Sequence, residues 1–141
     1  MTDRLVIRDI VDDDIAEVIA LWHTVGVARP WNDPARDIAF ARRDDHSTVL
    51  VGVDGGRVVA SAMVGEDGHR GWVYYVAIAP ERQRGGLGRI MMQAAEDWLT
   101  RRGVWKVQLL VRADNVKATG FYDQLGYRDT NSVCLQKILE K

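Results

Sequence analysis

The chain has 141 residues, 47% of them apolar and 28% charged, with 19 Lys plus Arg against 20 Asp plus Glu. A chain of this length buries roughly two-thirds of the surface it would expose unfolded, so residues 1–141 are expected to form a single domain that needs no disulfide or metal for its core. The apolar fraction excludes a disordered chain, and the formal net charge of −1 gives no global field to draw in nucleic acid or a membrane surface.

The stretch from Met1 to Leu5 lacks a signal-peptide apolar core. The longest apolar run, residues 72–79, is too short to cross a bilayer. A soluble cytoplasmic protein is therefore the expectation. The single cysteine, Cys134, cannot close an intrachain disulfide, and His23, His46 and His69 are scattered without zinc-site spacing, so no metal is expected.

Residues 4–8 read as a short strand on Leu5, Val6 and Ile7. Asp12, Asp13 and Asp14 offer caps for a helix whose apolar face repeats at Ile15, Val18, Ile19 and Trp22 and stops at Gly26. Asp33-Pro34 begins a second helix, as cap and first helical position, running to about Arg43. Residues 49–53 and 57–64 are strands around the turn Asp54-Gly55-Gly56, and Glu66-Asp67-Gly68-His69 is a further turn. The run 72–79, stopped by Pro80, predicts a central strand covered on both faces. Leu87, Ile90, Met91, Ala94, Trp98 and Leu99 share one helical face, with Arg101 and Arg102 in the last turn and Gly103 after it. Residues 104–111 form a strand. Ala118, Phe121, Tyr122 and Leu125 give a last helical face closed by Gly126, and residues 133–138 a final strand that would bury Cys134. The order β-α-α-β-β-β-α-β-α-β predicts an α/β fold, a mixed sheet with helices on both faces.

The segment 81–89, Glu-Arg-Gln-Arg-Gly-Gly-Leu-Gly-Arg, joins the central strand to a helix. Glycine lets the backbone turn tightly, and a helix N-terminus presents unpaired N–H groups with partial positive charge, so this geometry suits phosphate. Arg82, Arg84 and Arg89 add local positive charge; a solvated connector is the plainer reading. No Lys-Ser or Lys-Thr follows these glycines, which excludes a P-loop, and the Gly-x-Gly-x-x-Gly dinucleotide fingerprint fails at Met91.

Gln83-x-x-Gly86-x-Gly88 after a strand ended by Pro80 resembles the Gln/Arg-x-x-Gly-x-Gly/Ala motif of the GNAT superfamily of N-acetyltransferases. A second block, Asn115, Ala118, Phe121, Tyr122, Gly126 and Tyr127, looks like that family's Asn-x-x-Ala-x-x-Phe-Tyr-x-x-x-Gly-Phe/Tyr. The element order is similar as well, so the resemblance covers nearly the whole chain. It implies an α+β fold with a mixed, mostly antiparallel sheet and helices on both faces. It also implies transfer of acetyl from acetyl-CoA to a primary amine by direct attack in a ternary complex. By the same resemblance Gln83, Arg84, Gly85, Gly86, Leu87, Gly88 and Arg89 cradle the pyrophosphate. The edge at Val76, Ala77 and Ile78 pairs with the pantetheine arm, Asn115 bonds that arm, and Tyr122 lies near the sulfur.

An alkylammonium, with a pKa near ~10, must lose a proton before attack, and a leaving thiolate of pKa about 8.5 gains from receiving one. Tyr122 is the candidate acid, against the alternative of a core aromatic. Asn115 has the alternative of capping its helix. No carboxylate stands among Trp72, Val73, Tyr74 and Tyr75, so the base is unassigned; Glu66, Asp67 and His69 could act through water or be turn residues only. Trp31, Tyr74, Tyr75 and Glu66 are candidates for the acceptor site, and Trp22 fits the core. The acceptor could be a small amine, an antibiotic, a peptide N-terminus or a lysine, and pairing into a homodimer stays open. A non-catalytic acyl-CoA sensor on the same fold and a plain nucleotide-phosphate binder are the rival readings.

Overall fold

A computed structural model describes residues 4–140; Met1, Thr2, Asp3 and Lys141, and with them most of the leader reading at residues 1–5, lie outside the described residues. Contact density divides the chain into two compact units, Met1–Leu110 and Val111–Lys141. The first carries β1 (Leu5–Asp9), α1 (Ile15–Val25), α2 (Pro34–Ala41), β2 (Ser47–Asp54), β3 (Arg57–Glu66), β4 (Gly71–Ile78), α3 (Leu87–Arg101) and β5 (Val107–Leu109). The second carries α4 (Val116–Gln124). No helix among the described residues is long and apolar enough to cross a membrane.

Local chemistry accounts for the helix limits. Gly26 ends α1 at φ 81°, a left-handed conformation in which glycine meets no Cβ penalty. Asp33 opens α2, its side chain accepting the Arg36 amide at 3.2 Å, with Pro34 in the first turn. Asp14, at the start of α1, is used differently. It accepts the Val11 amide at 2.8 Å and both guanidinium nitrogens of Arg8, at 2.7 and 3.0 Å. The Arg8 hydrogen bonds hold the Asp14 carboxyl below its ordinary pKa, against the opposing pull of burial.

The sheet runs β1-β2-β3-β4-β5, antiparallel throughout except for the parallel β4–β5 pair that α3 connects. Successive strand residues point to opposite faces. A Cβ on Gly52 would lie 3.2 Å from the Ala60 Cβ and 3.3 Å from the Met91 sulfur, so Ala60 faces α3. Its neighbour Ser61 accepts a hydrogen bond from Trp22 of α1 on the opposite face. The first unit therefore has α3 on one side of the sheet and α1 on the other, the two-faced arrangement expected from the element order. Trp22, Ile38, Met91, Met92, Val49, Val51 and Val64 are fully buried between them.

Three expectations are corrected. The strand over 104–111 is only Val107–Leu109, paired with Gly71–Val73. Residues 133–138 form no strand; the segment 128–140 has neither helix nor strand and is exposed, with Leu135 at 89%. Alternating apolar residues confer β propensity, but a strand exists only with a ladder partner, and the described residues supply none. Cys134, in the same segment, is exposed rather than buried. The strand β4 is covered on both faces, as expected: Gly71 packs towards Leu99 of α3, while Ala77, opposite Ser61, is buried on the α1 side, where Tyr74 is 42% exposed because it opens onto a cavity.

Candidate active site

The chain leaves β4 through a single 3-10 turn at Pro80–Arg82 and enters α3 at Leu87. Gly86, the residue before the helix, sits at φ 82° and offers no side chain to cap it. The first-turn amides of Leu87, Gly88 and Arg89 have no acceptor within the helix. Arg84 also adopts positive φ, 69°, a conformation that costs a residue with a Cβ of order 1 kcal/mol. Arg84, Gly85, Gly86 and Arg89 are exposed, while Leu87 is buried and anchors the turn. Arg82 does not join this positive rim: it pairs with Asp54 at 2.7 Å and ties the loop to the end of β2. The Gln83 side chain donates to the Ile78 carbonyl at 3.1 Å, fastening the loop to β4.

The β4–β5 ladder ends at Val73 and Leu109. The Ala79 amide donates to Val59 of β3 at 2.8 Å, so alternation turns the N–H groups of Val76 and Ile78 to the opposite edge. Among the described residues no strand pairs with Tyr74–Ile78 on that edge. Ala77 is buried with its side chain away from it. The open edge thus offers the N–H groups of Val76 and Ile78, and the start of α3 those of Leu87, Gly88 and Arg89; between them Pro80 has no N–H, and the Arg82 and Gln83 amides donate to the Ala79 and Pro80 carbonyls.

Between Ser61 and Met63 the β3–β4 register slips, with Ser61 opposite Ala77 but Met63 opposite Tyr74. Residues 75 and 76 therefore face a single residue of β3, a bulge that re-aims a side chain. Tyr75 carries the distortion, at φ 52°. Its ring stacks on Trp22 at 3.9 Å with planes 4° apart. Its carbonyl accepts from the Ser61 hydroxyl at 2.9 Å, and Ser61 in turn accepts the Trp22 indole N–H at 2.7 Å. Its hydroxyl donates to Asp37 Oδ2 of α2 at 2.6 Å. Burial, and next the Asp37 carboxylate, raise the Tyr75 hydroxyl's pKa, so the phenol remains a donor.

A cavity of about 790 Å³ opens on this face of the sheet. Its aromatic walls are Phe40, Trp72, Tyr74 and Tyr75, and Asp37, Glu66 and Asp67 line it alongside the guanidinium of Arg43. Asp67 holds the β3–β4 turn by accepting the amides of His69 and Arg70 at 2.9 and 2.7 Å, and it takes the Trp72 indole N–H at 3.0 Å. Glu66 accepts the Gly68 amide at 2.7 Å and pairs with His46 Nδ1 at 2.7 Å. The His46 hydrogen bond lowers the pKa of Glu66 and the reciprocal bond raises that of His46. Tyr74 and Glu66, both singled out from sequence, meet in this cavity. Trp31, the third acceptor candidate, is 69% exposed and is not among its lining residues, although the adjacent Asn32 is. Asp37, Phe40 and Trp72 were not singled out. Asp37 had one available signal, its place one turn along α2 from the Asp33 cap, but nothing linear ties it to Tyr75.

In the second unit, the Asn115 carbonyl oxygen accepts the Ala118 amide at 3.1 Å, so this side chain caps α4 and keeps its NH₂ group as a donor. Tyr122 is half-buried, edge-on to Phe121 at 5.0 Å and to Tyr127 at 5.7 Å. Burial pushes its hydroxyl's pKa up, which keeps it protonated at neutral pH.

Residues 13–127 match the model of the acetyltransferase (GNAT) family. Solved structures share the fold at low identity. An aminoglycoside acetyltransferase from an uncultured soil metagenomic sample, in complex with sisomicin, superposes with a TM-score of 0.82 at 16% identity, covering 99% of this chain and 100% of that one. AAC(6')-Iy, in complex with the bisubstrate analogue CoA-S-monomethyl-acetylneamine, gives 0.81 at 14% identity over 95% and 97%. Glucosamine-6-phosphate N-acetyltransferase from Arabidopsis thaliana gives 0.74 at 19% identity over 96% and 99%.

Proposed function

Because the chain belongs to the GNAT acetyltransferase family, we propose that it moves an acetyl group from acetyl-CoA to a primary amine by direct attack in a ternary complex. The observation that carries this reading is the uncapped start of α3 behind left-handed Gly86, at the end of the loop that leaves the unpaired β4 edge. Such a start offers unshared N–H donors and a positive dipole end to a pyrophosphate, with Arg84 and Arg89 adding charge from exposed positions. The N–H groups of Val76 and Ile78 suit the amide groups of a pantetheine arm and the thioester carbonyl, so the carbonyl is polarised by backbone donors.

In this reading the neutral amine attacks the thioester carbon, the C–S bond breaks, the departing thiolate takes a proton from the Tyr122 hydroxyl, and the proton that leaves the acylated nitrogen restores that hydroxyl through water. The proton lost by the ammonium passes to water. Asn115 lends its NH₂ group to the pantetheine arm. The acceptor partner is a small-molecule or peptide amine, the location is cytoplasmic, and residues 1–141 act as one acyl-CoA N-acyltransferase domain.

The test is acetyl-CoA-dependent thiol release over a panel of amines, amino acids and peptides. Turnover on at least one amine is expected, with Tyr122→Phe lowering kcat by about 100-fold and leaving acetyl-CoA affinity unchanged. Tight acetyl-CoA binding without turnover on any amine would favour a sensor, and equal affinity for CoA, ATP and NAD a plain phosphate binder.

A further inference from the structure

The walls of the cavity carry more information than the need for an amine. Three carboxylates, Asp37, Glu66 and Asp67, line it with one guanidinium, that of Arg43, and Glu66 is also paired with His46. The bonds that Glu66 and Asp67 accept hold both below their ordinary pKa, so both stay ionised. Phe40, Trp72 and Tyr74 line the same cavity. The protein already lays a cation on one of these rings: the Arg43 guanidinium sits 3.7 Å from the centre of Phe40. The carboxylates are also separated along the sheet. Glu66 is opposite Gly71, while Asp37 is held by Tyr75, four residues further along β4. The β4 backbone positions to which they are tied, Gly71 and Tyr75, are at most ~13 Å apart at about 3.3 Å per residue, the bulge shortening the run.

We propose that, given the acetyltransferase reading above, this cavity selects an acceptor bearing two cationic nitrogens on an extended apolar linker, one nitrogen held by Asp37 at the bulge and the other by Glu66. The aromatic walls cover the linker and attract the charges through their ring faces. Asp37 is the end at which acetyl transfer occurs, because Tyr75 places it beside the bulge that precedes the open edge at Val76. The chemical class is an aliphatic di- or polyamine, or a compound with amines spaced similarly. An anionic acceptor such as an amino-sugar phosphate is disfavoured by the same three carboxylates. Arg43 opposes the ligand's charge and competes for the Phe40 face.

Calorimetry with CoA present compares 1,8-diaminooctane, octylamine and glucosamine 6-phosphate, and turnover with acetyl-CoA follows for each. The diamine is expected to bind at least about tenfold more tightly than octylamine, with an affinity that falls as salt rises. Asp37→Asn retains an oxygen for Tyr75 and is expected to weaken diamine binding about tenfold, as is Glu66→Gln. Arg43→Gln is expected to strengthen it, and this gain cannot come from misfolding. If Asp37→Asn proves unstable, Glu66→Gln and Arg43→Gln decide the matter. Equal binding of octylamine and diamine, or diamine affinity indifferent to these variants, overturns the inference while any amine turnover leaves the acetyltransferase reading standing. Charge-dependent diamine binding without turnover of any amine does the reverse.

Discussion

Ser61 joins the most constrained part of the site to the core, so its hydroxyl is the place to perturb. Ser61 and Trp22 are fully buried, the indole N–H donates to the hydroxyl at 2.7 Å, and the hydroxyl donates to the Tyr75 carbonyl at 2.9 Å. Ser61→Ala leaves a buried donor without a partner and releases the carbonyl that pins a residue at φ 52°. An unsatisfied buried donor costs about 1–3 kcal/mol, and the freed carbonyl adds less because the bulge can relax, so the total is ~2–3 kcal/mol. For a chain near 150 residues each kcal/mol lowers Tm by about 3–4 °C, which gives a fall of ~6–12 °C by calorimetry. The indole is the larger contributor, so in a Trp22→Phe background, where no N–H is left to satisfy, the same substitution is expected to cost less than half as much. Because Val76 follows the bulge directly, kcat falls as well. A melting point within about 2 °C of wild type, or an equal cost in both backgrounds, would refute the reasoning.

Two further outcomes follow from charges held in place. His46 and Glu66 form an exposed pair in which His46 is raised above 6.5 and Glu66 lowered below 4.5. The stabilisation through His46 is complete below 6.5 and fades as pH rises through its raised value, while that through Glu66 fades as pH falls through its lowered value. An NMR titration of the His46 ring is therefore expected to show a midpoint above 6.5 that Glu66→Gln returns towards it, and a wild-type midpoint at or below 6.5 contradicts the pair. Asp14 has its pKa lowered beside Arg8, so its contribution is present above 3.8 and lost as pH falls. Asp14→Asn is expected to cost about 1–2 kcal/mol at pH 7, at the lower end because Arg8 is partly exposed, and the gap to wild type should narrow as pH falls below 3.8; a gap that stays constant through the acid transition contradicts it.

The sequence disclosed what local chemistry encodes. Asp33-Pro34, Gly26 and the i, i+3, i+4, i+7 faces delimit the helices of the first unit because caps and periodicity act within a few residues. The glycines at 85, 86 and 88 mark the strand-to-helix loop for the same reason. Features set by pairing across the chain were not legible. The bulge places positive φ on Tyr75, an aromatic residue that no turn signal accompanies, and it depends on Ser61 and Trp22 from other elements. Asp37 becomes a site residue only through a phenol 38 positions away. That the run 72–79 is covered on both faces was legible, but that Tyr74 opens onto a cavity was not, because apolarity does not distinguish a packed face from a cavity wall. Residues 133–138 carry a strand's alternation, but alternation cannot name the strand that would pair with it.

The account turns on whether the amides that open α3 grip a pyrophosphate. The direct measurement is the backbone amide spectrum of ¹⁵N-labelled protein titrated with acetyl-CoA. The account predicts that the largest shifts fall on Arg84 to Arg89 and on Val76 and Ile78, and that inorganic pyrophosphate reproduces the first group but not the second. Saturable acetyl-CoA binding that leaves the amides of Gly86, Leu87 and Gly88 unmoved would contradict it.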